Sequence, residues 1–126
     1  MRDHYEGTPF DMTQGIDAGP YGTPNRWRPI NWMVDSIEYG WERPISTQQT
    51  AFSFVSQSRS WLPDPIGGVL WYGLDDTYTS CYVPLYCGID TVPKSYTVGS
   101  LKKFSWDSAW WVFNFVANFA NLKYSY

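Results

Sequence analysis

The sequence predicts an α+β fold, with antiparallel strands and a long buried C-terminal helix. β-branched and aromatic residues alternate loosely over 45–57 and recur over 69–74 and 78–86, which is typical of strands. Apolar residues then dominate 106–124, which indicates a helix. Aromatic residues make up 20% of the chain and charged residues only 17%. So much aromatic surface requires either a wide core or a covering partner.

The strands are expected to form a hairpin and a third, outer strand. The segments before and after WLPDPIGG, within 50–74, predict two antiparallel strands joined by a stiff loop. Pro84 in the segment 78–86 predicts an edge strand or a bulge, because proline has no backbone donor. Residues 31–44 are ambiguous, and a hairpin turning at Asp35 and Ser36 is one interpretation.

Helices are expected at both ends. Residues 1–7 resemble the last turn of a helix that stops at Gly7. The C-terminal helix over 106–124 has Ser105 or Asp107 as candidate caps, and it would be about 29 Å long. Three asparagines fall on one of its faces: Asn114, Asn118 and Asn121. We expect them to pair with neighbouring polar groups, or else to line a polar cavity.

Composition argues against several classes of function. The net charge is −3 and the basic residues are scattered, so no nucleic-acid partner is expected. The most apolar stretch, AWWVFNFVANFA, is too short to cross a bilayer, so no membrane partner is expected. A single histidine and the lack of a phosphate-binding glycine loop predict neither a metal nor a cofactor. No signal peptide is visible in this segment, and a cytoplasmic or an exported parent protein would both fit.

The classical catalytic residue types are few. His4 lies among charges and is interpreted as solvated or capping, with a catalytic role as the alternative. Cys81 and Cys87 are too far apart along an extended segment to bond, and we expect two separate small buried residues. Reactive thiols are the alternative, although no basic residue lies near them in sequence. Three aspartates are interpreted as turn formers, with paired acid–base carboxylates as the alternative: Asp64, Asp75 and Asp76.

Longer phrases carry a more specific signal. The chain contains MRDHYEGTPFD, GPYGTPNRWRP, ERPISTQQTAFSFVSQSRSWLPDPIGGVLWYGLDDTYTSCYVPLYCGI and GSLKKFSWDSAWWVFNFVANFANLKYS. Together and in this order they resemble the dipeptidase A-type cysteine peptidases, which are N-terminal-nucleophile hydrolases related to secernins. The resemblance covers nearly all of the chain, and residues 31–41 are its least recognisable part.

The resemblance implies an αββα sandwich that hydrolyses dipeptides with a cysteine at the mature N-terminus. The α-amino group of that cysteine would serve as the base, and the reaction would pass through an acyl-enzyme. This chain begins Met1-Arg2, and both of its cysteines are internal. We therefore expect residues 1–126 to form a single segment of a larger domain, without the nucleophile and inactive alone. The expected partners are a dipeptide substrate and either the rest of the parent chain or a second copy, bound through an exposed apolar face.

Arg26 is the predicted catalytic residue. The run from Thr23 to Arg28 also resembles a motif of the bile-salt hydrolase and penicillin V acylase group, in which an arginine lies beside the nucleophile. Asn25 and Trp27 depart from that motif, which has serine and phenylalanine there. By resemblance, Arg26 would support the thiolate. The alternative for Arg26 and Arg28 is stacking on Trp27 or pairing with a carboxylate.

Other strand residues and two other functions complete the hypotheses. Five polar residues are possible pocket-liners, with ordinary strand pairing preferred: Gln48, Gln49, Ser53, Ser56 and Gln57. An acylase that acts on non-peptide amides would use the same fold. A non-catalytic binding module would present the rings of Trp61, Trp71 and Tyr72, for instance to a carbohydrate.

Overall fold

The computed structural model describes residues 4–24, 31–40 and 45–123. It is a mixed α+β structure with two antiparallel sheets and a C-terminal helix, as the sequence predicts. The elements are β1 (Trp32–Val34), β2 (Ile37–Tyr39), β3 (Phe52–Ser58), α1 (Asp64–Gly67), β4 (Gly68–Leu74), β5 (Val83–Tyr86) and α2 (Ala109–Leu122), with 3-10 turns at Ile16–Ala18 and Lys94–Tyr96.

Strands β1 and β2 form the hairpin that was one interpretation of residues 31–44. Asp35 and Ser36 make the turn with φ angles of 49° and 67°. Positive φ at both central positions is what a type I′ turn requires, and that turn matches the twist of paired strands. Trp32 and Tyr39 face each other across the pair and stack with ring centroids 6.0 Å apart.

The second sheet has the order β3-β4-β5, and its first two strands form the predicted long hairpin. Phe52 pairs with Leu74 and Ser58 with Gly68. Strand β3 begins at Phe52 rather than at Ile45. Ser46 and Thr47 are buried in a non-strand segment before it, where the Ser46 side chain binds Asp76. Part of the loop between β3 and β4 is the short helix α1, with prolines at positions 63 and 65.

Strand β5 is shorter than the predicted 78–86 and begins at Val83. The residues before it turn instead, since the Ser80 N–H donates to the Asp76 carbonyl oxygen over 3.1 Å. The edge position predicted from Pro84 is confirmed, because β5 pairs only with β4 among the described strands.

Helix α2 differs from the prediction in length and burial. It begins at Ala109 after the N-cap residue Ser108, so neither Ser105 nor Asp107 is the cap. Its 14 residues span about 21 Å. Only Ala109 and Ala117 are buried, whereas Phe119 is 63% exposed. The prediction of a long buried helix is therefore wrong: one face of α2 packs beside β4, and the large apolar side chains on its other side are exposed.

The N-terminal segment is also different where it is described. Residues 4–7 form a turn rather than a helix end, with left-handed φ angles at Tyr5 (56°) and Gly7 (74°). Residues 1–3 lie outside the described part.

The buried core is small and unusually polar. Among the described residues, five apolar side chains are buried: Ala18, Val69, Leu74, Ala109 and Ala117. The whole chain exposes 8994 Å². A compact folded monomer of 14.6 kDa exposes about 6,900 Å². The accessible surface of the chain is thus larger than that of a compact monomer of the same mass. In the described part, no helix is long and apolar enough to span a membrane.

Candidate functional site

Arg26, the predicted catalytic residue, lies outside the described residues, as does Arg28. Its role stays a prediction. The site that the structure does describe is a group of buried and half-buried polar side chains where the turn after β4 meets α2.

This group, called here the Asp75–Asp76 cluster, consists of Ser46, Asp75, Asp76, Thr77, Asn114 and Asn121. It forms at the end of β4, where Asp75 adopts a left-handed φ of 63°. That conformation lets Asp75 Oδ1 accept from the backbone N–H of Asp76 over 2.7 Å. Asp75 Oδ2 accepts from the side-chain amide of Asn114 over 2.6 Å. The turn after β4 is thereby joined to the middle of α2.

Asp76 is the centre of the cluster and is fully buried, with 0% of its surface exposed. Its Oδ1 accepts from Ser46 Oγ over 2.9 Å and from the Tyr78 backbone N–H over 3.1 Å. Its Oδ2 accepts from the Asn121 amide over 3.4 Å. Thr77 Oγ1 donates to Ser46 Oγ over 2.6 Å. The cluster therefore connects three segments that are far apart in sequence.

The three asparagines on one face of α2 pair with neighbouring polar groups, as expected from the sequence. Asn114 and Asn121 bind the two aspartates, while the Asn118 amide donates to the Asn114 carbonyl oxygen over 2.8 Å. Pairing with neighbouring polar groups is confirmed.

The three aspartates do not form an acid–base site together. Asp64 is exposed at the start of α1, and Asp75 and Asp76 are buried with their oxygens bound by neutral donors. The interpretation as turn formers is confirmed for Asp75 and Asp76, which are also buried, whereas Asp64 is the first residue of the short helix α1. Within the described ranges, no three His, Cys, Asp or Glu side chains are placed to hold a metal ion. The signal for Ser46 and Thr77 as cluster members was weak, since small hydroxyl residues are common in turns.

His4 is buried, which corrects its interpretation as a solvated or capping residue. Only 8% of its surface is exposed. Its ring lies 4.9 Å from that of Tyr78, and its Nδ1 lies 3.4 Å from Glu6 Oε1. The N-terminal segment is thus packed on the residue that follows the Asp75–Asp76 cluster.

Both cysteines are exposed, so the prediction of small buried residues is wrong. Cys81 and Cys87 are free thiols, as predicted from their separation. Burial raises the pKa of the nearby Tyr96 phenol, and the negative charges that Cys81 and Tyr72 can carry raise it further.

The proposed pocket-liners on and before β3 have ordinary partners or face solvent. Ser53 Oγ is 2.8 Å from the Tyr82 hydroxyl. Gln57 Oε1 accepts from Trp71 Nε1 over 3.1 Å. The other three are exposed: Gln48, Gln49 and Ser56. The preferred interpretation as strand and turn residues fits these contacts.

The rings suggested for a binding module do not form one platform. Trp71 and Tyr72 are consecutive in β4, so their side chains project from opposite faces of the sheet. Trp61 lies before α1 and is 75% exposed.

Among the described residues, two open grooves flank α2. The larger, of about 620 Å³, lies between the turn at Tyr78 and Thr79 and the helix residues Phe115 and Phe119. The smaller, of about 260 Å³, lies between Phe104 and α2. Sequence reasoning missed both grooves because it placed this helix in the core.

The profile described as Peptidase family C69 matches residues 1–126, the whole chain. No curated protein and no solved structure matches the chain.

Proposed function

The chain belongs to peptidase family C69, and from this premise we propose that it forms part of a cysteine dipeptidase of the N-terminal-nucleophile class. The observation that carries the proposal is that the family match extends over all 126 residues. The family makes the protein a hydrolase that acts in proteolysis through a cysteine. The dipeptide substrate, the αββα sandwich and the identity of the nucleophile belong to the proposal.

The proposed nucleophile is an N-terminal cysteine supplied from outside these residues. Cys81 and Cys87 are internal and have no α-amino group to act as base. The thiolate sulfur would attack the carbonyl carbon of the dipeptide, and the C–N bond would break as the leaving amine takes a proton. Water would then hydrolyse the thioester and regenerate the thiol. Hydrogen-bond donors around the carbonyl oxygen would stabilise the tetrahedral intermediate.

Arg26 is the residue that we propose to support this chemistry. A guanidinium beside a thiol favours the thiolate form, because the positive charge stabilises the negative one. Pro24 and Pro29 restrict the backbone on both sides of it in sequence. Arg28 lies two residues after Arg26 in the same stretch. We assign it a structural role, so its substitution is the matched control for that of Arg26.

The Asp75–Asp76 cluster contributes order rather than chemistry in this proposal. Its carboxyl groups are buried and bind donors within the cluster, so a substrate would not contact them. The two carboxyl groups fix the turn after β4 against α2. Tyr78 belongs to the same turn and lines the larger groove. The cluster would therefore hold one wall of that groove in place.

Substitution of the two arginines tests the proposal in the polypeptide that carries both this chain and the N-terminal cysteine. We expect Arg26→Ala to lower kcat/KM for dipeptides by about 100-fold or more. It should also move the acidic limb of the pH profile to higher pH, because the thiol loses a stabilising charge. Arg26→Lys should restore part of the rate and Arg28→Ala should change it only a few-fold.

The substrate panel separates the proposal from its closest alternative. Dipeptides and acylated amines are compared at equal concentration with the same enzyme. Faster release of amine from the acylated non-peptide amides would overturn the dipeptidase assignment while leaving the family intact. An unchanged rate in Arg26→Ala would overturn the role of Arg26.

A further inference from the structure

Strand β3 presents a free edge that is unusual for a protein strand. It is the outermost strand of its sheet in the described part of the chain, and six of its seven residues are exposed. Phe52, Phe54 and Val55 are 53%, 56% and 50% exposed. The strand has no charged residue and no proline. Native edge strands normally carry such residues, because they prevent pairing with other chains.

The backbone groups that face outward from β3 follow from its pairing with β4. Two backbone hydrogen bonds continue the β3–β4 pairing just beyond the ends of the strands. The Arg59 N–H donates to the Gly67 carbonyl, and the Asp75 N–H donates to the Ala51 carbonyl. Odd-numbered residues of β3 therefore direct their backbone groups toward β4. Because hydrogen-bonding direction alternates along an antiparallel strand, the even-numbered residues point their N–H and C=O groups away from β4. These residues are Phe52, Phe54, Ser56 and Ser58.

We propose that this edge pairs with the same edge of a second copy of the chain, to give a six-stranded antiparallel sheet about a two-fold axis at Val55. In this register Phe54 lies opposite Ser56 of the second copy, and Phe52 lies opposite its Ser58. Each of the four outward-facing residues then lies opposite an outward-facing residue of the second copy, so the free N–H and C=O groups of both edges form hydrogen bonds. Isologous pairing of this kind closes on itself and produces a dimer.

The side chains also fit a second copy. Each phenylalanine faces a serine across the new boundary, so the large rings meet small neighbours on one sheet face. Val55 faces its own equivalent on the other sheet face, in a closely spaced pair without mutual hydrogen bonds. No like charges are brought together, because the strand has none.

The exposed apolar side chains of the strand also favour such an interface. Phe52, Phe54 and Val55 are each at least half exposed, so pairing with a second copy would remove apolar surface from water. The proposal does not depend on peptidase activity, so the two can fail separately.

Ser56→Pro, compared with Ser56→Ala, tests the hydrogen bonds of this edge. Proline removes an outward-facing N–H and leaves the ladder to β4 intact, whereas alanine keeps that N–H. Sedimentation equilibrium of the polypeptide that carries this chain should give twice its monomer mass. Ser56→Pro should weaken dimerisation by at least about tenfold, since two donors are lost per dimer. Circular dichroism verifies that each variant is folded.

A charge-pairing experiment identifies the occupant as a second copy. Val55→Lys and Val55→Glu each place like charges opposite each other across the two-fold axis, so each variant alone should be monomeric. An equimolar mixture should form the mixed dimer. A chain that is monomeric at high micromolar concentration would overturn the proposal. So would a dimer that persists in Ser56→Pro and in both charged variants, which would indicate association through another surface such as the open face of α2.

Discussion

The side-chain amide of Asn114, in the middle of α2, donates a 2.6 Å hydrogen bond to Oδ2 of Asp75, in the turn after β4. Thirty-nine residues separate the two in sequence. With the bond from Asn121 to Asp76, this contact attaches the helix to the sheet at a place where the apolar core is small.

Removal of the Asn114 amide should therefore destabilise the fold. We expect Asn114→Ala to lower the free energy of unfolding by about 1–3 kcal/mol, because a buried carboxyl oxygen of Asp75 loses its donor. Asn118→Ala is the matched control: its side chain is exposed and bonds only within the helix, so the loss should stay within about 0.5 kcal/mol. Urea unfolding measures both, and equal losses would contradict the attachment.

Asp76 and Asp64 should respond differently to the same substitution. Asp76→Asn keeps an oxygen for Ser46 and Tyr78 but turns an N–H toward the Asn121 amide, and we expect a loss of about 1–3 kcal/mol. Asp64→Asn changes an exposed residue at the start of α1, and its effect should stay within about 0.5 kcal/mol. Thermal unfolding compares the two, and a larger effect at Asp64 would be inconsistent with the cluster.

Gly88 should not tolerate a side chain. A Cβ atom there would lie 2.8 Å from Pro65 Cβ and 2.9 Å from the Pro65 carbonyl oxygen, and the backbone of α1 cannot move aside easily. Gly88→Ala should cost about 1–3 kcal/mol of unfolding free energy. At Gly40 the nearest atom is 3.8 Å away, so Gly40→Ala should be nearly neutral. A neutral Gly88→Ala would show that β5 and α1 are not packed this closely.

The two exposed cysteines should be dispensable for catalysis. In the active polypeptide we expect the double variant Cys81→Ala/Cys87→Ala to keep dipeptide turnover within a few-fold of the parent rate, because neither thiol is the proposed nucleophile. Sensitivity of the double variant to iodoacetamide should also persist. A loss of turnover by several orders of magnitude, with the fold intact, would assign the nucleophile to this chain instead.

The strands were more predictable than the helix environment. Alternation in 45–57, the loop WLPDPIGG and Pro84 predicted the β3–β4 hairpin and the edge strand, because these are local signals. The apolar composition of α2 predicted a buried helix, but burial depends on what packs against it, and one face is open. The Asp-Asp turn was recognised, yet its burial was not, because Ser46, Asn114 and Asn121 reach it from distant segments. The family resemblance stated from the phrases is confirmed by the match over residues 1–126.

Trapping of the acyl-enzyme tests the central claim most directly. The active polypeptide is mixed with a dipeptide, quenched in acid within one turnover, digested and examined by mass spectrometry for the thioester. We expect the acyl group on an N-terminal cysteine outside these 126 residues, with Cys81 and Cys87 unmodified, and no turnover by the 126-residue chain alone. An acyl group on Cys81 or Cys87, or dipeptide turnover by the chain alone, would contradict the claim.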